Sequence, residues 1–332
     1  MLLSVFFITF ACRMKCVRKT IRKEMKLSII TINYNNAAGL RRTLDSVAAQ
    51  RLDGAEQAGA TLEVEHIIID GNSTDESVAV IRNYEQHILS LKCGQLGVPS
   101  ISLTWVSEPD KGIYNAMNKG MRIASGDYIQ ILNSGDILAS NHVLADCCLQ
   151  IDRLGYPAFV YGNMIKKDYT TGKVVGKSGE VPYSLLQYFV STMNHDCCWI
   201  KRVLFIEEAM DEGAGECYGL YDENLKIVSD WKWFLQAIGL GKVRPVYMDV
   251  DMTIFDTSGI SEQNLSLRNE ERRSVLTDVL PPAVLTDYDQ HAFDMQQMDN
   301  LRKHPWAYKL VWILERVLNR LDNKNFKKPK NR

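Results

Sequence analysis

One pattern constrains this chain more than any other. Strand, polar loop and helix repeat four times before residue 150. Lys26–Asn35 (KLSIITINYN) is a β-branched apolar run, and Leu40, Leu44, Val47 and Ala48 then share one helical face. Val64–Asp70 ends in GNSTD, where Thr74 or Asp75 is placed to cap a helix carrying Val78 and Ile81. Ile101–Val106 ends in SEPDKG, ahead of Ile113, Ala116, Met117, Met121 and Ala124 at helical spacing. Tyr128–Leu132 ends in NSGD. Continuous apolar runs are strands buried on both faces, and their alternation with helices implies a mostly parallel α/β sheet covered on both sides. Ligands of such sheets bind beyond the carboxyl ends of the strands. Every polar cluster just quoted falls there.

The second half is less regular. Phe159–Lys166 and Lys173–Lys177 read as a hairpin around 168–172, residues 183–193 as a helix or irregular lid, and His195–Ile200 as a short strand. Trp231, Phe234, Leu235 and Ile238 mark a helix that Ser229 or Asp230 begins; Val243–Phe255 is strand-like and 262–278 a charged helix. No repeat or long linker appears, so one domain is expected over 25–280, with extensions at 1–24 and 281–332.

Charge and cysteine usage narrow the classes. Of 332 residues, 46% are hydrophobic and 24% charged, which excludes a disordered chain, and a mean hydropathy of -0.17 excludes a polytopic membrane protein. Residues 1–26 carry seven Lys/Arg and one acid, and 301–332 carry ten and two. The chain's net charge of -1 therefore leaves an excess of 15 negative charges between these ends, a poor footprint for nucleic acid. Basic ends on an acidic body point to an anionic surface such as a membrane, or else to two solvated tails. The eight cysteines (12, 16, 93, 147, 148, 197, 198, 217) form no paired CxxC motif and read as reduced thiols of a cytosolic protein. Residues 2–12 (LLSVFFITFAC) are too short to span a bilayer and carry their basic residues after the apolar run, unlike a signal peptide. They read as a peripheral anchor or an upstream start extension.

The familiar nucleotide motifs are missing. No GxGxxG follows the first strand, and GKVVGKS at 172–178 is one residue short of a P-loop and lies between strands. What remains is a row of strand-end acids: Asp70, Asp75, Glu108, Asp110 and Asp136. Converging carboxylates suit a divalent cation with few protein ligands and a phosphate-bearing partner, which is the pattern of Mg2+ or Mn2+. Gly135 would let backbone come close to a phosphate. As a bare turn and helix cap, NSGD explains itself equally well.

KLSIITINYN, then IIIDGNSTDES, then VSEPDKGIYNAMNKGMRIASGDYIQILNSGD together resemble the family 2 glycosyltransferases of GT-A fold, over roughly residues 26–261. Within that family the chain looks most similar to bacterial enzymes of colanic-acid and capsular polysaccharide synthesis. The resemblance implies a Rossmann-like GT-A sheet. It implies transfer of a sugar from a UDP- or GDP-sugar to an acceptor hydroxyl, with inversion. Thr31, Asn33 and Asn35 match the first-strand segment near the donor base, and Asp70 matches the acid that contacts base or ribose. Asp110 and Tyr114 match the lining of the donor pocket. Asn118 and Lys119 either line a site or are solvated. Asn133-Ser134-Gly135-Asp136 matches the metal-binding DxD position, but only Asp136 offers a carboxylate there. Asp230, in IVSDW, matches the base that takes the acceptor's proton. A helix N-terminus weakens such a base, and burial beside Trp231 and Trp233 strengthens it. His195, in NHDCCWIKR, matches a position near acceptor or metal. Phe255–Ser261 matches a loop that closes near the site, with Gly259 and Ser261 in it.

The C-terminal segment is separate. Trp306, Leu310, Val311, Ile313, Leu314, Val317, Leu318 and Leu321 give an apolar helical face, with Arg316, Arg320, Lys324, Lys327, Lys328 and Lys330 flanking it. A basic amphipathic helix reads as a membrane-surface element or as a helix packed on the body. With a lipid-linked acceptor, it places the protein on the cytoplasmic face of the cell membrane. Two other functions compete: a sugar-nucleotide nucleotidyltransferase, for which TINYNNAAG lacks a basic residue, and a catalytically silent membrane-associated scaffold.

Overall fold

The computed structural model describes residues 24–57, 59–90, 99–207, 216–257 and 264–325. The apolar run at 2–12, Cys12, Cys16, Cys93, Gly259, Ser261 and the lysines beyond 325 lie outside the described residues. One nine-stranded sheet organises the described chain. Its strands are β1 (Glu24–Asn33), β2 (Thr61–Asp70), β3 (Ile101–Ser107), β4 (Tyr128–Ile131), β5 (Ile137–Leu138), β6 (Phe159–Asp168), β7 (Lys173–Lys177), β8 (Cys198–Lys201) and β9 (Val246–Asp256). The order β3-β2-β1-β4 is parallel throughout, as the alternation predicts. Beyond β4 the sheet becomes mixed. β8 runs antiparallel to β4 and β6, β9 parallel to β6, and β7 folds back on β6 as the expected hairpin.

The connecting helices are α1 (Ala37–Ala48), α2 (Asp53–Gln57), α3 (Ser77–Ser90), α4 (Ile113–Ile123) and α5 (Val143–Arg153). Side-chain alternation sorts them onto two faces. Ile30, Ile32, Ile67 and Ile69 pack with Met117 and Met121 of α4. Leu27, Ile29 and Val64 pack with Val47 of α1 and Leu144 of α5 on the opposite face. Ile68 meets Leu40 of α1 and Ile81 of α3. Asp75 starts two helices at once: its carboxylate accepts the Ser77 N–H at 3.0 Å and the Ala37 N–H at 2.9 Å. Those donors hold it below the usual carboxylate range.

The later helices are α6 (Leu185–Val190), α7 (Ser229–Phe234), α8 (Leu265–Val279), α9 (Pro282–Arg302) and α10 (Pro305–Asn325). Trp231, Phe234, Leu235 and Ile238 are all buried, as their spacing predicts, although α7 widens into a π-helical turn over Leu235–Leu240. Val275 and Leu276 of α8, with Leu280 and Leu285 after it, join the core, so the body's packing runs past residue 280. The cysteines among the described residues are free, and four of them are buried.

Gly162 and Gly120 are among the glycines demanded by close approach. A Cβ at Gly162 would sit 2.5 Å from the Val250 carbonyl, where the β6–β9 register shifts. A Cβ at Gly120 of α4 would overlap Ile30 of β1. Gly120→Val should therefore overpack this contact and destabilise the fold by about 1–3 kcal/mol. Urea unfolding read by tryptophan fluorescence checks this, and an unchanged midpoint would show that α4 can move away.

Candidate functional site

The parallel strands end in one crevice, and Asp70 is its keystone. Its side chain has no exposed surface. It accepts from Asn33 Nδ2 at 2.8 Å, Ser73 Oγ at 2.6 Å, the Ser73 N–H at 3.0 Å and Ser107 Oγ at 2.7 Å. Burial pushes its pKa up, but the Ser73, Ser107 and Asn33 donors outweigh it and hold the carboxyl below its ordinary range. One ionised group thus ties together the ends of β1, β2 and β3. Asn35, at φ 47°, continues the rim: its N–H donates to Ser73 Oγ at 2.8 Å, and its side-chain oxygen accepts the Thr74 N–H at 2.8 Å. Asp110 closes against the backbone of Gly71, where a Cβ would lie 2.5 Å from the Asp110 carboxylate.

Across the crevice, residues far apart in sequence converge on Asp230, the second residue of α7. Tyr114 OH, from the first turn of α4, donates to Asp230 Oδ1 at 2.9 Å. His195 Nδ1 lies 2.9 Å from Asp230 Oδ2, and its Nε2 lies 3.0 Å from Asn133 Nδ2. The Asp230 side chain is only 16% exposed and that of His195 17%. Burial alone would raise Asp230, but the hydrogen bond and charge of His195, with Tyr114 and the Trp231 N–H, lower it. Burial alone would lower His195, but Asp230's hydrogen bond and charge raise it. With Asn133 Nδ2 donating to Nε2, the neutral form of His195 carries its proton on Nδ1. Asn133 Oδ1 is buried without a partner, and turning the amide would offer that oxygen to an imidazolium.

The NSGD segment forms the third part. Gly135 adopts φ 113°, a conformation that favours glycine, and its N–H donates to Thr43 Oγ1 at 3.0 Å. Asp136 is buried and accepts the Asp256 N–H at 3.0 Å. Burial, followed by the charge of Asp196, raises its pKa well above the ordinary value. Asp196 is itself buried and raised by burial, with its carboxylate accepting from Thr253 Oγ1 at 2.7 Å. A cation would relieve this repulsion between like charges. Among the described residues no three His, Cys, Asp or Glu side chains converge as a ready-made metal cage. The donor set thus fits a hard cation that takes most of its ligands from a diphosphate and water, with Asp136 as the protein's carboxylate.

The predicted residues divide accordingly. Asn33, Asn35, Asp70 and Asp110 gather on the rim of the parallel strands, and Asn133, His195, Asp230 and Tyr114 form one hydrogen-bonded chain. Tyr114, expected in the donor lining, has its hydroxyl on Asp230. Thr31 departs from its expected place near the donor: it is fully buried, with Oγ1 3.0 Å from Nε2 of His66. His66, pushed down to about 3 by burial, also meets Tyr84 OH at 2.8 Å, so this is a neutral core network. Asn118 is buried and clamps the 221–223 segment, donating to the Tyr221 carbonyl at 2.8 Å and to Glu223 Oε1 at 2.9 Å. Lys119 pairs with Glu108 at 2.7 Å. Asp196 was not singled out in the sequence, and Asp256 entered only within the Phe255–Ser261 loop. Asp196 adjoins His195, and Asp256 pairs with Arg42 at 3.0 Å from the far end of the sheet.

Comparison with known proteins agrees with this geometry. The family model for glycosyl transferase family 2 matches residues 28–210, and the chain belongs to that family. It is accordingly a nucleotide-sugar-dependent glycosyltransferase of glycan biosynthesis. An uncharacterized glycosyltransferase of Mycobacterium tuberculosis is 29% identical over 239 residues, covering 70% of this chain and 76% of that protein. A PGL/p-HBAD biosynthesis glycosyltransferase of Mycobacterium bovis is 25% identical over 232 residues, covering 70% and 77%. Among solved structures, Staphylococcus aureus TarS with UDP-GlcNAc aligns with a TM-score of 0.54 at 17% identity, over 76% of this chain and 64% of that one. A Pyrobaculum calidifontis mannosyltransferase with GDP-Man and Mn2+ aligns at 0.52 and 16%, over 91% and 79%. These likenesses establish the GT-A fold.

The Asp230–His195 pair sets a pH window. A lowered Asp230 stabilises the fold above its ordinary 3.8, and that contribution is lost as pH falls through its folded value. A raised His195 stabilises the fold below its ordinary 6.5, and that contribution is lost as pH rises through its folded value. Both contributions are therefore present between those two ordinary values. Asp230→Asn should shift the His195 titration to lower pH, leaving burial unopposed. Imidazole NMR signals followed against pH check this, and an unmoved titration would mean that the pair is not electrostatically coupled.

Proposed function

We propose that this enzyme inverts the anomeric centre as it moves a sugar from a UDP- or GDP-sugar to the hydroxyl of a lipid-linked saccharide, with Asp230 as base. The observation that carries the reading is the environment of Asp230. Tyr114 OH, His195 Nδ1 and the Trp231 N–H occupy three of its roughly four lone-pair positions. The remaining one belongs to a carboxylate that is ionised at neutral pH and still 16% exposed. The acceptor hydroxyl donates there, and Asp230 takes its proton as the acceptor oxygen bonds to the anomeric carbon and the bond from that carbon to the leaving diphosphate breaks, while His195 Nδ1 keeps its hydrogen bond to Asp230. Tyr114 holds Asp230 at the correct angle. Asn33, Asn35 and Asp110 line the donor side, and Gly135 with Asn133 bounds the diphosphate.

Asp136 would hold a Mg2+ or Mn2+ ion, which stabilises charge on the leaving diphosphate when bound. The Mn2+ in the Pyrobaculum mannosyltransferase and the UDP-GlcNAc in TarS support a nucleotide-sugar donor with a divalent ion. The lipid-linked acceptor is supported by α10, where Trp306, Leu310, Ile313 and Leu314 are 70%, 58%, 55% and 58% exposed. No helix among the described residues is long and apolar enough to cross a membrane. We read α10 as lying on the anionic cytoplasmic face of the cell membrane.

Donor hydrolysis across UDP-, GDP- and dTDP-sugars, with Mg2+, Mn2+ or EDTA, tests the chemistry. One donor should turn over, EDTA should stop it, and Asp230→Asn should slow it by roughly 10²–10⁴-fold. Retention of full turnover in that variant would remove Asp230 as base. For the surface, the full chain should sediment with vesicles containing phosphatidylserine, and Leu310→Glu with Leu314→Glu should release it. Sedimentation equal to the wild type would remove α10 as the contact.

A further inference from the structure

Arg268 and Arg272 stand one turn apart on the same face of α8, where side chains four residues apart are neighbours. Arg272 lies 4.5 Å above the ring of Trp231, the residue after Asp230. Its guanidinium donates to the carbonyls of Tyr188 at 3.3 Å and Ser191 at 2.8 Å, both neutral acceptors. Arg268 is half-buried, and its Nε is wholly buried without a hydrogen-bond partner. Neither guanidinium has an ion pair among the described residues.

The nearby acids are committed elsewhere. Glu270 accepts from Ser266 at 3.1 Å, and Glu271 accepts the N–H groups of Lys226 and Ile227 at 2.7 and 2.9 Å. Asp230 is held by Tyr114 and His195. Asp289 pairs with Arg273 at 2.7 Å. Two partly dehydrated cations therefore stand one turn apart with no ion pair among the described residues. Burial and the charge of Arg268 push Arg272 down to about 10. Such a pair is relieved by a ligand that brings two or more negative oxygens, and the planar guanidinium fork matches phosphate.

We propose that Arg268 and Arg272 bind the diphosphate group of the acceptor. Two sources of diphosphate exist in such a reaction, the donor's nucleotide and the lipid end of the acceptor. Position favours the acceptor. Arg272 packs on Trp231, the residue after Asp230, so the pair stands on the side of the base. An in-line displacement sends the leaving diphosphate to the opposite side of the sugar. This assignment rests on the reading of Asp230 as the base.

Calorimetric titration of the full chain with farnesyl diphosphate, farnesol, UDP and GDP, in Mg2+, tests it. Arg268→Gln should weaken farnesyl diphosphate by about tenfold or more, with UDP, GDP and farnesol unchanged. Arg268→Lys, which keeps the charge without the fork, should lose less than Arg268→Gln. It also carries the test if the glutamine variant melts early. Loss of nucleotide affinity instead would overturn the acceptor assignment. Equal farnesyl diphosphate affinity in wild type and variants, or none in the wild type, would overturn the site itself. A wild type that binds farnesyl diphosphate through the pair but neither nucleotide would count against the transferase donor reading alone.

Discussion

A single buried carboxylate makes the crevice possible. Asp70 sits at the carboxyl end of β2, with no exposure and four donors from β1, β3 and the loop after β2. An ionised group in that position costs several kcal/mol unless its lone pairs are filled, and here they are. Asn33 and Ser107 stand opposite Asp70 in the register of the sheet, so satisfying Asp70 reinforces that register at the strand ends. The rim built on Ser73, Asn35 and Thr74 then follows from hydrogen bonds one step further out. Removing the charge would leave those hydroxyls and amides competing for water in a place that has little.

The two catalytic-side carboxylates are tuned in opposite directions by what surrounds them. Asp230 and Asp136 both suffer desolvation. Asp230 is compensated by His195 and two other donors and stays ionised. Asp136 is buried beside another buried acid, Asp196, and the Asp256 N–H with the charge of His195 does not offset that. Titratable groups whose environments push their pKa values apart separate the roles of acid, base and ligand within one site. In the proposed reaction that difference divides labour: the compensated carboxylate handles a proton, and the uncompensated one waits for a cation.

The first half of the fold was legible because each strand announces itself twice, by a β-branched run and by the polar cluster that ends it. The direction and the two-faced packing of β1 to β4 follow from that alternation, whereas their order in the sheet does not. The second half was harder for physical reasons. β8 is four residues long and follows a 3-10 turn, β5 has two residues, and the β6–β9 pairing shifts register around Gly162. Such pairings depend on partners distant in sequence, and local propensity carries little of that. Within the site, the residue types were readable, but their bonds were not. Tyr114 and Asp230 are 116 positions apart, and nothing local tells a donor-pocket tyrosine from one that orients a carboxylate. Thr31 shows the converse, since a polar residue in a buried strand had its partner, His66, on the next strand.

The C-terminal helices give the charge asymmetry of the chain a mechanical sense. Residues 301–332 carry ten Lys/Arg against two acids, while the body between the ends is strongly acidic. An anionic surface would repel that body and attract α10, so electrostatics alone would set which side faces the lipid, within about 10 Å of it at ordinary salt. α10 is 21 residues long, so it would run some 30 Å along such a surface. Its flank is reinforced by Arg316, whose guanidinium stacks on Trp312 at 3.8 Å. α8, two helices upstream, borders Asp230 through Trp231 and Arg272. One stretch of chain thus links the exposed apolar helix to the edge of the catalytic crevice. A lipid-linked substrate would need such a path, with its tail in the bilayer, its phosphates at the arginines and its sugar at the carboxylate.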